Sequence, residues 1–180
     1  MFVRVLAFVL ETLFFVLMAS ALLRAYMNWL RINMSAQPGV FVMAVTNWLV
    51  KPLRRLLPQA MLRSRLDSAS LLTALLLALV YGLLMWMLLG RMSSAGFGLG
   101  LLLMAVQMLL KVGLQTLFML VLGYAILSWL QPGSYTYGLL ARLVAPVLTP
   151  IQRFLPTLGG VDLSALVLLL LLQICLMLVG

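Results

Sequence analysis

The sequence predicts an all-α membrane protein with four transmembrane helices, arranged as two tandem parallel repeats, each with a short interfacial or re-entrant helical segment. Three observations carry this prediction. First, 66% of the 180 residues are hydrophobic and 8% charged, with a mean hydropathy of +1.22, whereas a globular domain has roughly a quarter charged residues. Second, uncharged runs are long enough to cross a bilayer: Ser68 to Gly90 holds 23 residues and Met92 to Leu110 holds 19, where about 20 are needed. Third, the chain matches itself.

Asn28-Trp29-Leu30 aligns with Ser128-Trp129-Leu130 at an offset of 100 residues. Lys51-Pro52-Leu53-Arg54-Arg55-Leu56-Leu57-Pro58 aligns with Thr149-Pro150-Ile151-Gln152-Arg153-Phe154-Leu155-Pro156 at an offset of 98, and Asp67-Ser68-Ala69-Ser70 with Asp162-Leu163-Ser164-Ala165 at 95. Three ordered matches with small gaps point to duplication. Residues 1–90 form the first copy, with spans at about 3–30 and 68–90 and an interfacial segment at 32–58. Residues 91–180 form the second, with spans at about 101–130 and 163–179 and an interfacial segment at 131–156. The glycines at 96, 98 and 100 fall in the loop before the third span.

Each interfacial segment is too polar and too interrupted by proline to cross the bilayer, and is expected to form short helices at the headgroup layer. Pro52 and Pro150 suit the first turn of such a helix, and Pro58 and Pro156 its end. Asp67 and Asp162 then cap the following span, where a carboxylate accepts from open amides and can pair with Arg55 or Arg153. The repeated corner reads either as a structural turn or as a docking surface for anionic lipid or a partner protein.

Charge sets orientation. Arg31, Lys51, Arg54, Arg55, Arg63, Arg65, Arg142 and Arg153 lie in the loops at 31–67 and 131–162, against Arg4 and Arg91 at the amino terminus and middle loop. The positive-inside rule puts those two loops in the cytoplasm and both termini outside, periplasmic in a bacterial inner membrane. The net charge of +9 thus flanks apolar spans, and with only Phe154 beside the basic residues nucleic acid is not an expected partner. A signal-peptide reading of the amino terminus is disfavoured by Glu11, which interrupts its apolar core.

Reactive chemistry is scarce. The chain has no His, one Cys and three acids, which excludes Cys/His metal clusters and Ser/His/Asp triads; no phosphate-binding glycine loop occurs and no cofactor is implied. The expectation is a protein that is not an enzyme. Glu11 and Lys111 are the informative charges, 100 residues apart in the first and third spans. Alone, each would cost about 3 kcal/mol at the centre of a span, so an ion pair between them is expected. Gln107 and Gln115 share the helix face of Lys111, a polar seam that reads as glue between helices or as a water or ion path, the latter within one chain or a homo-oligomer.

The doubled Pro-x2-Arg-x2-Pro segment, each followed by an Asp that precedes a span, resembles the YggT (YlmG) family of bacterial and plastid membrane proteins along nearly the whole chain. The matching positions are Pro52, Leu53, Arg54, Arg55, Pro58, Asp67 and Ser68, then Pro150, Ile151, Arg153, Pro156, Gly159, Asp162 and Ser164. Gln152 stands where the family has a basic residue. The resemblance implies links to cell division, envelope organisation, osmotic tolerance and, in plastids, assembly of membrane complexes. It therefore favours a non-catalytic scaffold or assembly factor contacting other membrane proteins, with an ion channel or transport subunit built on the Glu11/Lys111 seam as the alternative.

Overall fold

A stretch of 28 residues without Gly or Pro opens the chain and forms α1 (Phe2–Trp29). Its end is closed by backbone geometry: Arg31 adopts φ +54, and the N–H groups of Arg31 and Ile32 donate to the carbonyls of Asn28 and Met27 at 3.1 and 3.0 Å, which satisfies groups that a helix end leaves open. The computed structural model describes residues 1–34, 38–56, 67–88, 97–153 and 163–179, and among them every regular element is helical, with no strand. The further helices are α2 (Gly39–Leu56), α3 (Ser68–Leu88), α4 (Phe97–Leu130), α5 (Tyr135–Gln152) and α6 (Leu163–Val179). Three helices are long and apolar enough to cross a membrane: Phe2–Trp29, Ser68–Leu88 and Gly98–Leu130. The apolar α6 has 17 residues, about 25 Å of helix against a hydrocarbon core of about 30 Å.

The chain packs as two compact units, Met1–Val112 and Gly113–Gly180. In the first, α1 packs on α3 and α2, and α2 on α3. Phe14, Met18, Leu77, Ala78, Tyr81, Met85, Ala105, Met108 and Val112 form its core, with the Phe14 and Tyr81 rings 5.6 Å apart. Fully buried Ala21, Ala69, Ala74 and Ala78 let helices approach closely, the usual basis of helix association in lipid, where hydrophobicity between helices contributes little. In the second unit α5 packs on α6, and Val121, Tyr124, Val144, Leu148, Ala165, Leu168 and Leu172 form the core.

Two expectations about local structure are corrected. The glycines at 98 and 100 lie inside α4, not in a loop before it, and residue 96 lies outside the described residues; Gly100 serves close packing, since a Cβ on it would stand 2.9 Å from the Trp86 ring, and one on Gly82 the same distance from Leu101 Cδ1. The first 16 residues of α4 belong to the first compact unit. The interfacial segments are single 18-residue helices, with Pro52 near the end of α2 and Pro146 and Pro150 inside α5 instead of at a helix start. All three prolines are exposed, so the carbonyls that a proline ring leaves unbonded reach the solvated side. Pro58, Pro156, Asp162, Gly159, Arg63, Arg65 and Arg91 lie outside the described residues.

Candidate functional site

α2 is amphipathic by position. Gly39, Val42, Thr46 and Val50 are buried along one face, while Phe41, Trp48, Lys51, Arg54 and Arg55 are exposed. The helix starts where it does because a Cβ on Gly39 would come within 2.6 Å of the Met34 backbone, so only glycine lets the chain turn so tightly there. Its buried stripe delivers Thr46 against α1, and its final turns deliver Arg54 toward the start of α3.

There the first unit buries charge. Asp67 caps α3: its carboxylate accepts from the Ser70 N–H at 3.4 Å and the Ser70 hydroxyl at 2.8 Å, and its own carbonyl accepts from the Leu71 N–H. Arg54 Nη2 donates to both Asp67 oxygens at 3.1 and 3.2 Å. From α1, Arg24 Nε lies 3.7 Å from Asp67 Oδ2, and its Nη1 donates to Thr46 Oγ1 at 2.9 Å and Asn47 Oδ1 at 3.0 Å. The Thr46 hydroxyl in turn donates a hydrogen bond to the Val42 carbonyl. The side chains of Arg24 and Asp67 are 8% and 5% exposed, that of Arg54 48%. Two guanidinium groups around one carboxylate leave this cluster with one net positive charge, presented outward by half-exposed Arg54 beside exposed Lys51 and Arg55.

The cluster ties three helices together at one end of the first span. Arg24 lies five residues before Trp29, about 7.5 Å along the helix, and Trp29 is exposed as a membrane-interface aromatic would be. Two charges held this close to the headgroup layer, paired and hydrogen-bonded, avoid most of the penalty of an isolated buried ion. Among the described residues no group of three or more His, Cys, Asp or Glu could hold a metal ion.

Arg24 was missed by the sequence reading, which treated α1 as apolar except for Glu11. A signal existed: Arg24 lies on the same helix face as Ser20, Ala21 and Ala25, all buried, and a cation on a core stripe needs a buried counter-charge. The pairing at Asp67 also differs from expectation. Arg54 and Arg24 hold the carboxylate, and Arg55, the next residue in the helix, faces solvent.

Glu11 and Lys111 do not form the expected ion pair. Among the described residues the pairs within 4.0 Å are Arg24–Asp67 and Arg54–Asp67. Glu11 is exposed and Lys111 half-buried, because sharing a sequence offset matches two residues in depth without turning their side chains toward each other. Gln107 is exposed and Gln115 half-buried on the same face of α4. Arg153 is exposed immediately beyond α5. Cys175 is exposed on α6.

At the corresponding end of the second unit the described packing is apolar and aromatic. Gly133, with φ +99, opens the turn before α5, Ser134 caps α5 by accepting from the Tyr137 N–H at 3.1 Å, and the Tyr124 and Tyr137 rings stack with centroids 5.4 Å apart.

Long apolar helices, an amphipathic helix and a buried ion cluster beside an interfacial tryptophan define a helical membrane protein. The CCB3/YggT family model matches residues 3–88 and 103–180, and the chain belongs to that family. It is 33% identical to the YggT protein of Escherichia coli K12 over 94% of this chain and 86% of that protein. It is 34% identical to PA0392 of Pseudomonas aeruginosa over 96% of this chain and 86% of that one, and 31% identical to the protein of the proC 3′ region of Vibrio alginolyticus over 97% and 93%. No solved structure matches the chain.

Proposed function

We propose that this chain is a non-catalytic, four-span protein of the bacterial inner membrane that works as a scaffold or assembly factor, serving the envelope organisation, cell division and osmotic tolerance to which its family is linked. The carrying observation is the Arg24–Asp67–Arg54 cluster, which anchors a basic helix end to two membrane helices. It fixes where Lys51, Arg54 and Arg55 stand relative to the spans, as a docking corner requires, and each cation near an anionic leaflet is worth about 1 kcal/mol.

In this reading the two copies arose by duplication and share one orientation, with α6 as the fourth span, α2 and α5 on the cytoplasmic face and both termini outside. The element order of a long helix, an amphipathic helix and a second apolar helix, given twice, and the two matched stretches of the family model support it. The positive-inside bias supports the orientation.

The test spares Arg54, which holds Asp67, and changes the free cations. The triple variant Lys51→Ala, Arg55→Ala, Arg153→Ala, purified in mild detergent, is expected to retain less anionic phospholipid and fewer membrane-protein partners than wild type; unchanged recovery of both defeats the docking role. Orientation is checked with Arg55→Cys in a Cys175→Ala background. An impermeant thiol reagent should label it in inverted membranes and not in intact spheroplasts.

A further inference from the structure

Glu11 and Lys111 are charges within apolar helices that, among the described residues of their own unit, have no ion-pair partner within 4.0 Å. Asp67 is held by Arg24 and Arg54, and no ion pair joins Glu11 to Lys111 although both belong to the first compact unit. Around Glu11, α1 exposes Phe8, Val9, Leu13 and Val16; around Lys111, α4 exposes Val106, Gln107 and Leu110. Such surface faces the low-dielectric edge of the hydrocarbon in a lone protomer, where opposite charges held at one depth attract more strongly than in water.

We infer that a second copy of this chain covers these faces, with Glu11 of each copy paired to Lys111 of the other. Depth supports the pairing. Glu11 lies eighteen residues before Trp29 and Lys111 eighteen before Trp129, and both tryptophans are exposed as interfacial anchors. Each charge therefore stands about 27 Å along its helix from the aromatic belt, in the outer third of the hydrocarbon. A two-fold axis along the membrane normal preserves depth and sets residue i against j and j against i, so one interface neutralises both charges of both copies. A foreign partner would have to bring both an acid and a base at this same depth; the chain itself carries them. The inference rests on α1 and α4 spanning the bilayer, and retention in the membrane after carbonate washing reads insertion separately from association.

The experiment co-expresses two differently tagged full-length copies and measures co-purification in mild detergent. Wild type should associate with itself. Glu11→Lys alone and Lys111→Glu alone place like charges at both contacts of their own homodimers and should lose roughly tenfold or more in self-association. A Glu11→Lys copy mixed with a Lys111→Glu copy regains two opposite-charge contacts and should co-purify as wild type does. A pair formed within one chain could not be rescued by mixing. Wild type that does not associate, or a mixture that fails to recover, overturns the inference. Should the single variants insert poorly, the neutral double variant Glu11→Gln, Lys111→Met is measured instead: inserted but weakly associating chains support the pairing, and undiminished association overturns it.

Discussion

Among the described residues, the two units seat their amphipathic helices on different side chains. At the aligned offsets Arg24 corresponds to Tyr124, Thr46 to Val144, Arg54 to Gln152 and Ser70 to Ala165. In the first unit these positions build a buried ion cluster. In the second, Tyr124 stacks on Tyr137 over Val144, Leu148 and Ala165. Among the described residues, then, charge seats the amphipathic helix of the first unit, and aromatic and aliphatic packing that of the second. A buried salt bridge is also weak evidence of stabilisation, since well-packed apolar residues often do as well. What the charged version adds is a fixed guanidinium at the surface, which the second unit, with Gln152 at that position, lacks.

The comparison can be broken at Asp67. Asp67→Ala removes the one carboxylate from between two guanidinium groups and leaves Arg24 buried without its counter-charge, which should cost about 3–5 kcal/mol, read as a lower midpoint in denaturant titrations of micellar protein. Converting the site to its counterpart sharpens the point: Arg24→Tyr, Thr46→Val, Arg54→Gln and Ser70→Ala together keep Asp67, as the second copy keeps Asp162, and should cost markedly less than Asp67→Ala alone. If the fourfold variant is the worse of the two, the ion cluster is a requirement of the first unit after all.

Smaller effects separate packing from charge. Gly100→Ala pushes a methyl group to 2.9 Å from the rigid Trp86 ring and should destabilise by about 1–3 kcal/mol. Gly82→Ala meets only the flexible end of Leu101 and should cost less; equal losses would mean that the Trp86 contact is not what limits residue 100. The smallest expected change is a gain. The turn after α1 holds Arg31 at φ +54 where the turn before α5 uses Gly133, so Arg31→Gly should relieve about 1 kcal/mol of left-handed strain, visible as a higher thermal midpoint.

Much of the fold was legible because it follows from solvent and period. Uncharged runs near 20 residues pointed to the spans, and polarity with interruption by proline set residues 32–58 apart from them. The glycines of α4 were misread because a glycine that breaks a helix and one that admits a neighbouring ring look alike until the neighbour, Trp86, is in place. Pro52 and Pro150 were misplaced for a related reason: a proline near a helix end is tolerated where its freed carbonyl is solvated, and solvation depends on which face packs.

The sequence by itself determined that this is a helical membrane protein of the YggT family, because hydropathy and the doubled motif are properties of residue order. Only the tertiary structure decided which charges meet. Arg24 reaches Asp67 across 43 positions of chain, while Glu11 and Lys111, matched by offset, do not pair. Ion pairing depends on distance and facing in three dimensions, and a one-dimensional repeat specifies depth along a helix without specifying rotation about it.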